Sequence, residues 1–163
     1  MSHVRISYET FQKTAPAAQA ALLAMGKSTE ESGLDKTIVE LAKLRVSQIN
    51  NCAFCLQIHL NVSRRLGLPQ EKLDLVATWP EAGIFSDREC AALAWAETLT
   101  RLDGRSVPDK AYESVRRHFS EDEVIALSVA IANITPGTGW VRPSASRRRS
   151  RRSRPRARRP DFF

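Results

Sequence analysis

Asp35-Lys36-Thr37-Ile38-Val39-Glu40-Leu41-Ala42-Lys43-Leu44-Arg45-Val46-Ser47, followed after a short turn by Asn51-Cys52-Ala53-Phe54-Cys55-Leu56-Gln57-Ile58-His59, reads as two consecutive helices. Asp35 can cap the first, through about Ser47, with Ile38, Leu41, Ala42 and Val46 as its apolar stripe. Asn51 is the expected cap of the second, which runs to about Leu66 and stops at Gly67. On that second helix two thiols three residues apart, and an imidazole four residues further on, share one face. Antiparallel packing of the pair brings Glu40 alongside His59, where a carboxylate fixes the tautomer of the imidazole and raises its basicity.

The rest of the chain up to about Asn133 continues the helical pattern, with few β-branched runs and no period-2 alternation. A first helix is expected over residues 8–25, with Phe11, Ala18, Leu22 and Met25 turned inward. A short helix follows Pro69, and Pro108 starts another over Asp109–Phe119. Ser86 with Glu89, and Ser120 with Glu123, have capping-box spacing and open helices over Asp87–Leu102 and Glu121–Asn133. Connections are short, and the architecture expected is an all-α bundle.

Two segments with different chemistry follow from the charges. The chain of 163 residues carries a formal net charge of +7, but 10 of its 25 Lys and Arg residues lie between Arg142 and Arg159. Residues 1–141 are mildly acidic, so the basic character belongs to the end of the chain. The expected division is a helical domain over residues 1–134 and an Arg/Ser/Pro-rich tail over 135–163 that cannot build a core and is disordered. No apolar run approaches the roughly 20 residues that span a bilayer. Met1-Ser2-His3-Val4-Arg5 has no basic segment followed by an apolar one, so no secretory signal and no membrane role are expected. The cytoplasm is the expected address, where thiols stay reduced and a CxxC pair is catalytic or metal-binding rather than a structural staple.

In the first turn of a helix the unpaired N–H groups favour thiolate at Cys52 and Cys55. Cys55 and His59 stand at i and i+4, so the imidazole can take the thiol proton directly or through one water. Cys52 is close enough to Cys55 for the short disulfide that CxxC permits. Zinc competes, because CxxC with His59 and Glu40 supplies up to four ligands. Structural zinc sites more often add a distant second pair of Cys or His, which this chain lacks. Covalent haem attachment requires His directly after Cys55, where Leu56 stands. The catalytic dithiol is therefore preferred, with neither metal nor cofactor. Cys90 reads as a small core residue, Trp79 and Trp95 as core or interface, and Glu97 as a structural carboxylate at least as readily as a site residue. His3 and His118 have no matched partners by spacing.

Glu40, then Cys52-Ala53-Phe54-Cys55, then His59 resembles the signature of the alkylhydroperoxidase D-like (AhpD-like) branch of the carboxymuconolactone decarboxylase family. Glu40-Leu41-Ala42-Lys43-Leu44-Arg45-Val46-Ser47-Gln48-Ile49-Asn50 and Ala92-Leu93-Ala94-Trp95-Ala96-Glu97 extend the likeness, which covers most of residues 5–133. It implies an all-helical fold that assembles into trimers or hexamers. It implies a thiol peroxidase in which Cys55 attacks a hydroperoxide, Cys52 resolves the product as a disulfide, and an external dithiol or thioredoxin-like partner reduces it. His59 is then the base and Glu40 its relay partner. Decarboxylase members generally lack the CxxC pair. The best-known peroxidases of the family carry a further His between the cysteines, where this chain has Phe54, so a general thiol–disulfide oxidoreductase is the alternative activity.

The Arg-rich tail suggests a reading of another class, a helical protein whose tail binds nucleic acid through counterion release. The tail lacks interleaved aromatics, and solvated basic tails are common, so that reading ranks second. Related chains tend to finish the last helix with Ile-Asn-Ala-Trp-Asn-Arg-Leu. Written as ATC AAC GCC TGG AAC CGG CTG G, that peptide becomes Ile-Thr-Pro-Gly-Thr-Gly-Trp on loss of one A, which is the sequence from Ile134 to Trp140. The expectation is that residues from Thr135 onward are a frameshifted reading of a GC-rich gene. Resequencing is expected to show that a single-base correction there restores a helical ending; failure of every such correction rejects it.

Overall fold

Helix α3 (Lys36–Ile49) is the axis of the molecule, because it is buried on most of its faces. Ile38, Val39, Leu41, Ala42, Leu44 and Val46 are all buried, which is more than the single stripe expected from periodicity. The computed structural model describes residues 6–102, 104–137 and 141–142. In chain order these form β1 (Ile6–Ser7), α1 (Tyr8–Thr14), α2 (Pro16–Glu31), α3, α4 (Ala53–Arg65), α5 (Gln70–Leu75), α6 (Trp79–Ala82), α7 (Asp87–Thr100), α8 (Asp109–Arg116), α9 (Glu121–Ala132) and β2 (Val141–Arg142). The fold is the all-α bundle expected.

One face of α3 joins Ala92, Trp95 and Ala96 of α7 and Leu127 and Ile131 of α9 in the larger apolar cluster. Its other face supplies Leu41 and Leu44 to a smaller one, with Leu68, Leu73, Val76 and Leu93. Both expected capping boxes are present: the Ser86 and Ser120 hydroxyls accept from the N–H of Glu89 and Glu123, whose carboxylates accept from the serine N–H groups. Asp35 caps α3, accepting from the Thr37 N–H at 2.7 Å.

The first helix departs from expectation. Instead of one helix over residues 8–25 there are two, divided at Ala15, and the second runs on to Glu31. Pro16 is the cause: it disfavours helical backbone at the preceding residue and is best placed in the first turn of a new helix. Phe11, Leu22 and Met25 are half-buried as expected, but Ala18 is exposed. Across α1 and α2 only Thr29 is buried.

After α9 the chain makes a 3-10 turn at Thr135–Gly137, and Val141–Arg142 pairs in parallel with Ile6–Ser7, a two-residue ladder absent from the sequence reading. The Arg-rich run, the expected disorder of the tail, most of the expected frameshifted segment and His3 lie outside the described residues. Among the described residues no helix is long and apolar enough to cross a membrane.

Leu44 is fully buried in the α3 core, whereas Ile125 on α9 is 57% exposed. Leu44→Ala is expected to cost about 2–5 kcal/mol in urea unfolding. Ile125→Ala is expected to stay within about 0.5 kcal/mol. Equal losses at the two positions would contradict the central place of α3.

Candidate active site

The site is built where α3 reverses into α4. Asn50 ends α3, and Asn51 takes a left-handed conformation with φ of 49°. Asn tolerates that region better than most residues do. The Asn51 N–H donates to the Gln48 carbonyl at 3.1 Å and the Cys52 N–H to the Ser47 carbonyl at 3.0 Å, the Schellman pattern. Asn51 is therefore the terminator of α3 and not, as its residue type suggests, the cap of the next helix. The cap of α4 is Cys52, whose Sγ accepts from the Cys55 N–H at 3.2 Å. The expected stop at Gly67 has the same hydrogen-bond pattern, with φ of 80°.

Cys52 and Cys55 are joined as a disulfide, with their Cα atoms 5.4 Å apart. Both are buried and belong to the larger apolar cluster, with Phe54 packed half-buried against it and its ring 5.8 Å from that of Tyr8. The first turn of α4 carries no acidic residue. Partial positive charge there favours thiolate once the bond is reduced.

One turn on, His59 is half-buried, and its Nδ1 lies 2.8 Å from Oε2 of Glu40, across the interface between α4 and α3. The other oxygen of Glu40 accepts from Nζ of Lys43 at 3.1 Å. Burial pushes the Glu40 carboxyl up, but the His59 hydrogen bond and the Lys43 charge outweigh it and hold the group below the ordinary carboxylate range. Glu40 thus stands ionised inside the fold, only 6% exposed. With Nδ1 turned to that carboxylate, Nε2 is the nitrogen left to exchange a proton with a neighbouring group.

All four expected site residues lie along this one helical hairpin. Lys43 joins them through Glu40, a contact that the i and i+3 spacing of Glu and Lys on a helix could have signalled. The other singled-out residues sit elsewhere. Glu97 accepts from Arg45 Nε at 2.6 Å, Trp79 Nε1 at 3.0 Å and Arg101 at 3.4 Å, a set of contacts tying α7 to α3. Burial pushes Glu97 up, but the Trp79 and Arg45 hydrogen bonds and the two arginine charges hold it low. Trp95 is buried and donates to the Ser128 hydroxyl at 2.9 Å. Cys90 is half-buried on α7, and burial with the charges of Asp87 and Glu89 pushes its thiol up. The His118 carbonyl accepts from Arg88, a backbone role that gives its ring no assignment. Among the described residues no group of three or more His, Cys, Asp and Glu side chains is arranged to hold a metal ion.

Residues 16–98 match the model of the carboxymuconolactone decarboxylase family. The uncharacterized protein YdfG of Bacillus subtilis is 35% identical over 140 residues, spanning 86% of this chain and 91% of that protein. The uncharacterized protein YnjA of Escherichia coli is 31% identical over 103 residues, spanning 63% of this chain and 56% of that one. A crystal structure from Agrobacterium tumefaciens superposes with a TM-score of 0.74 and 37% identity, covering 80% of this chain and 88% of that one. The protein in that structure is described as of unknown function and suggested to be an antioxidant defence protein AhpD.

A carboxylate held low in the folded state takes up its proton first in the unfolded state, so its stabilisation is present above the ordinary carboxylate range and is lost as pH falls below it. Glu40→Gln is expected to cost about 1–3 kcal/mol at neutral pH. That gap from the wild type narrows on acidification from the ordinary carboxylate range downward. Unfolding curves at a series of pH values check this, and a gap independent of pH would contradict the ionised pairing.

Proposed function

The chain belongs to the carboxymuconolactone decarboxylase family, and on that premise we propose that it is an AhpD-like thiol peroxidase that reduces hydroperoxides. The observation that carries the reading is a disulfide-forming CxxC pair at the start of α4, followed one turn later by a His59 paired with a buried carboxylate. The structural likeness to a protein suggested to serve antioxidant defence supports it.

The cycle begins when an external dithiol, or a thioredoxin-like protein, reduces the Cys52–Cys55 bond and is itself oxidised to a disulfide. His59 takes the Cys55 thiol proton at Nε2, directly or through a water, while Glu40 stabilises the imidazolium through Nδ1. The Cys55 thiolate attacks the terminal oxygen of the hydroperoxide. An S–O bond forms, the O–O bond breaks, and the departing alkoxide takes the proton from His59 and leaves as an alcohol. Cys55 is now a sulfenic acid. Cys52 attacks its sulfur, the S–S bond forms, and the released hydroxide leaves as water with the proton of the Cys52 thiol. The peroxide is reduced by two electrons and the dithiol is oxidised by two, with no cofactor in the cycle.

A cytoplasmic setting supplies such reductants and belongs to the same reading. So does assembly into a trimer or hexamer, for which α1 and α2, with Leu23 62% exposed, leave a face uncovered in the single chain. Phe54, which has no titratable group, favours one second reading, a thiol–disulfide oxidoreductase that passes electrons between dithiols without peroxide.

The test is one equivalent of organic hydroperoxide added to the reduced protein, followed by mass analysis of the Cys52–Cys55 peptide. The expected product is the intramolecular disulfide, two hydrogens lighter. Cys55→Ser is expected to lower peroxide consumption by roughly a hundredfold or more. Cys52→Ser is expected to leave Cys55 as a trappable sulfenic acid after one turnover. Unmodified thiols together with reduction of a disulfide substrate would select the oxidoreductase reading, and an unchanged rate in Cys55→Ser would reject Cys55 as nucleophile.

A further inference from the structure

The carboxylate of Glu40 has two hydrogen-bonded neighbours, and the peroxidase cycle uses only one of them. Oε2 faces His59 Nδ1 at 2.8 Å and Oε1 receives Lys43 Nζ at 3.1 Å. The Lys43 side chain is 16% exposed, so most of its length is withdrawn from solvent. A pair withdrawn from solvent is screened less than an exposed pair at the same spacing.

A cavity of about 190 Å³ adjoins this end of the pair. Glu40 and Lys43 are among its walls, with Leu34 and Val39 of the core, while His59 and the two cysteines are not. Without the ammonium, Oε1 would lose its Lys43 donor beside this cavity. Water entering there would compete for the carboxylate and let it rotate away from Nδ1. The titratable groups around Glu40 are Lys36 and Lys43 on its own helix and His59 on α4, while Glu30 of α2 lines the same cavity. Of these, Lys43 and His59 are hydrogen-bonded to it.

Resting on the peroxidase reading, we propose that Lys43 is a positioning residue: its ammonium closes the cavity side of Glu40 and holds the carboxylate so that Oε2 stays on His59 Nδ1. The imidazole is thereby kept in the tautomer that presents Nε2 as base. Lys43 touches neither the thiols nor the peroxide in this scheme and acts through Glu40 alone.

Removing the positive charge makes protonation of the Glu40–His59 pair easier, so the pair is disabled at higher pH than before. In Lys43→Met the acid limb of hydroperoxide consumption is expected to move up by about one pH unit. The Glu40 carboxylate carbon, followed by NMR, is expected to titrate at higher pH in the same variant. Lys43→Arg restores both toward the wild type, because the guanidinium keeps the charge and a donor. Lys36→Met, which removes a cation from the same cavity without touching the carboxylate, leaves both unmoved. If Lys43→Met does not fold, Lys43→Gln, which keeps a donor without the charge, carries the same comparison. The proposal is overturned if the charge-removing variant loses thermal stability but keeps the wild-type limb and the wild-type Glu40 titration. It is equally overturned if Lys36→Met shifts both as much. Wild-type protein that consumes no hydroperoxide would reject the peroxidase reading, while the Glu40 titration would still decide the role of Lys43.

Discussion

A helix buried nearly all round cannot easily carry an unpaired charge, and Glu40 is the buried carboxylate of α3. Glu40 sits among Val39, Leu41 and Ala42, all buried, at a position where an unpaired carboxylate would cost several kcal/mol. Its partners are supplied in two ways. Lys43 comes from the next turn of the same helix, which needs only local structure. His59 comes from α4 and can arrive only if the two helices pack antiparallel in one register. A slip of α4 along α3 would strand the carboxylate, so the pairing that orients the imidazole also selects the packing of the hairpin. The turn that permits this register is the left-handed Asn51, which ends α3 and delivers Cys52 to the head of α4.

Glu97 shows what a half-buried carboxylate looks like when it serves the fold alone. Arg45, Trp79 and Arg101 surround it. An indole N–H and two guanidinium groups donate at any pH the fold survives, and none can accept a proton in exchange. That set ties α7 to α3 and has no means of moving a proton. Glu40 differs in one partner. An imidazole can both donate and accept a proton, so the same carboxylate chemistry that clamps at Glu97 suits the relay proposed for Glu40.

The helices were legible because their signals are local. The serine–glutamate boxes at Ser86 and Ser120, the Asp35 cap and the Gly67 stop each depend on a few neighbouring residues, and each appears where the sequence puts it. The placement of the four expected site residues was legible for a similar reason, since the i, i+3 and i+4 spacings on α4 and the hairpin geometry of two short-linked helices leave little choice. Three features were hidden. Asn51 is equally at home as a helix cap and as a left-handed terminator, and only the backbone path between α3 and α4 decides. The break at Pro16 was overridden by the apolar periodicity on either side of it. The two-residue pairing of Ile6–Ser7 with Val141–Arg142 joins opposite ends of the chain, and nothing in either dipeptide announces the other.

The same residue type stands in two helices in different electrostatic surroundings. Cys55 and Cys90 both lie near the start of a helix, where the dipole favours thiolate. At Cys90 the first turn carries Asp87 and Glu89, whose charges join burial in pushing the thiol up. Those carboxylates are suited to that helix end, where Glu89 closes the capping box and accepts from Lys72. They make good structure and a poor nucleophile. The first turn of α4 has no acidic residue, its cap is itself a cysteine, and the group one turn on is His59 rather than a carboxylate. The nearby negative charge is on Glu40, across from His59 Nδ1, with Lys43 on its other oxygen. In the proposed cycle the carboxylate stands behind the imidazole instead of beside the sulfur, where it orients the ring without repelling a thiolate at Cys55.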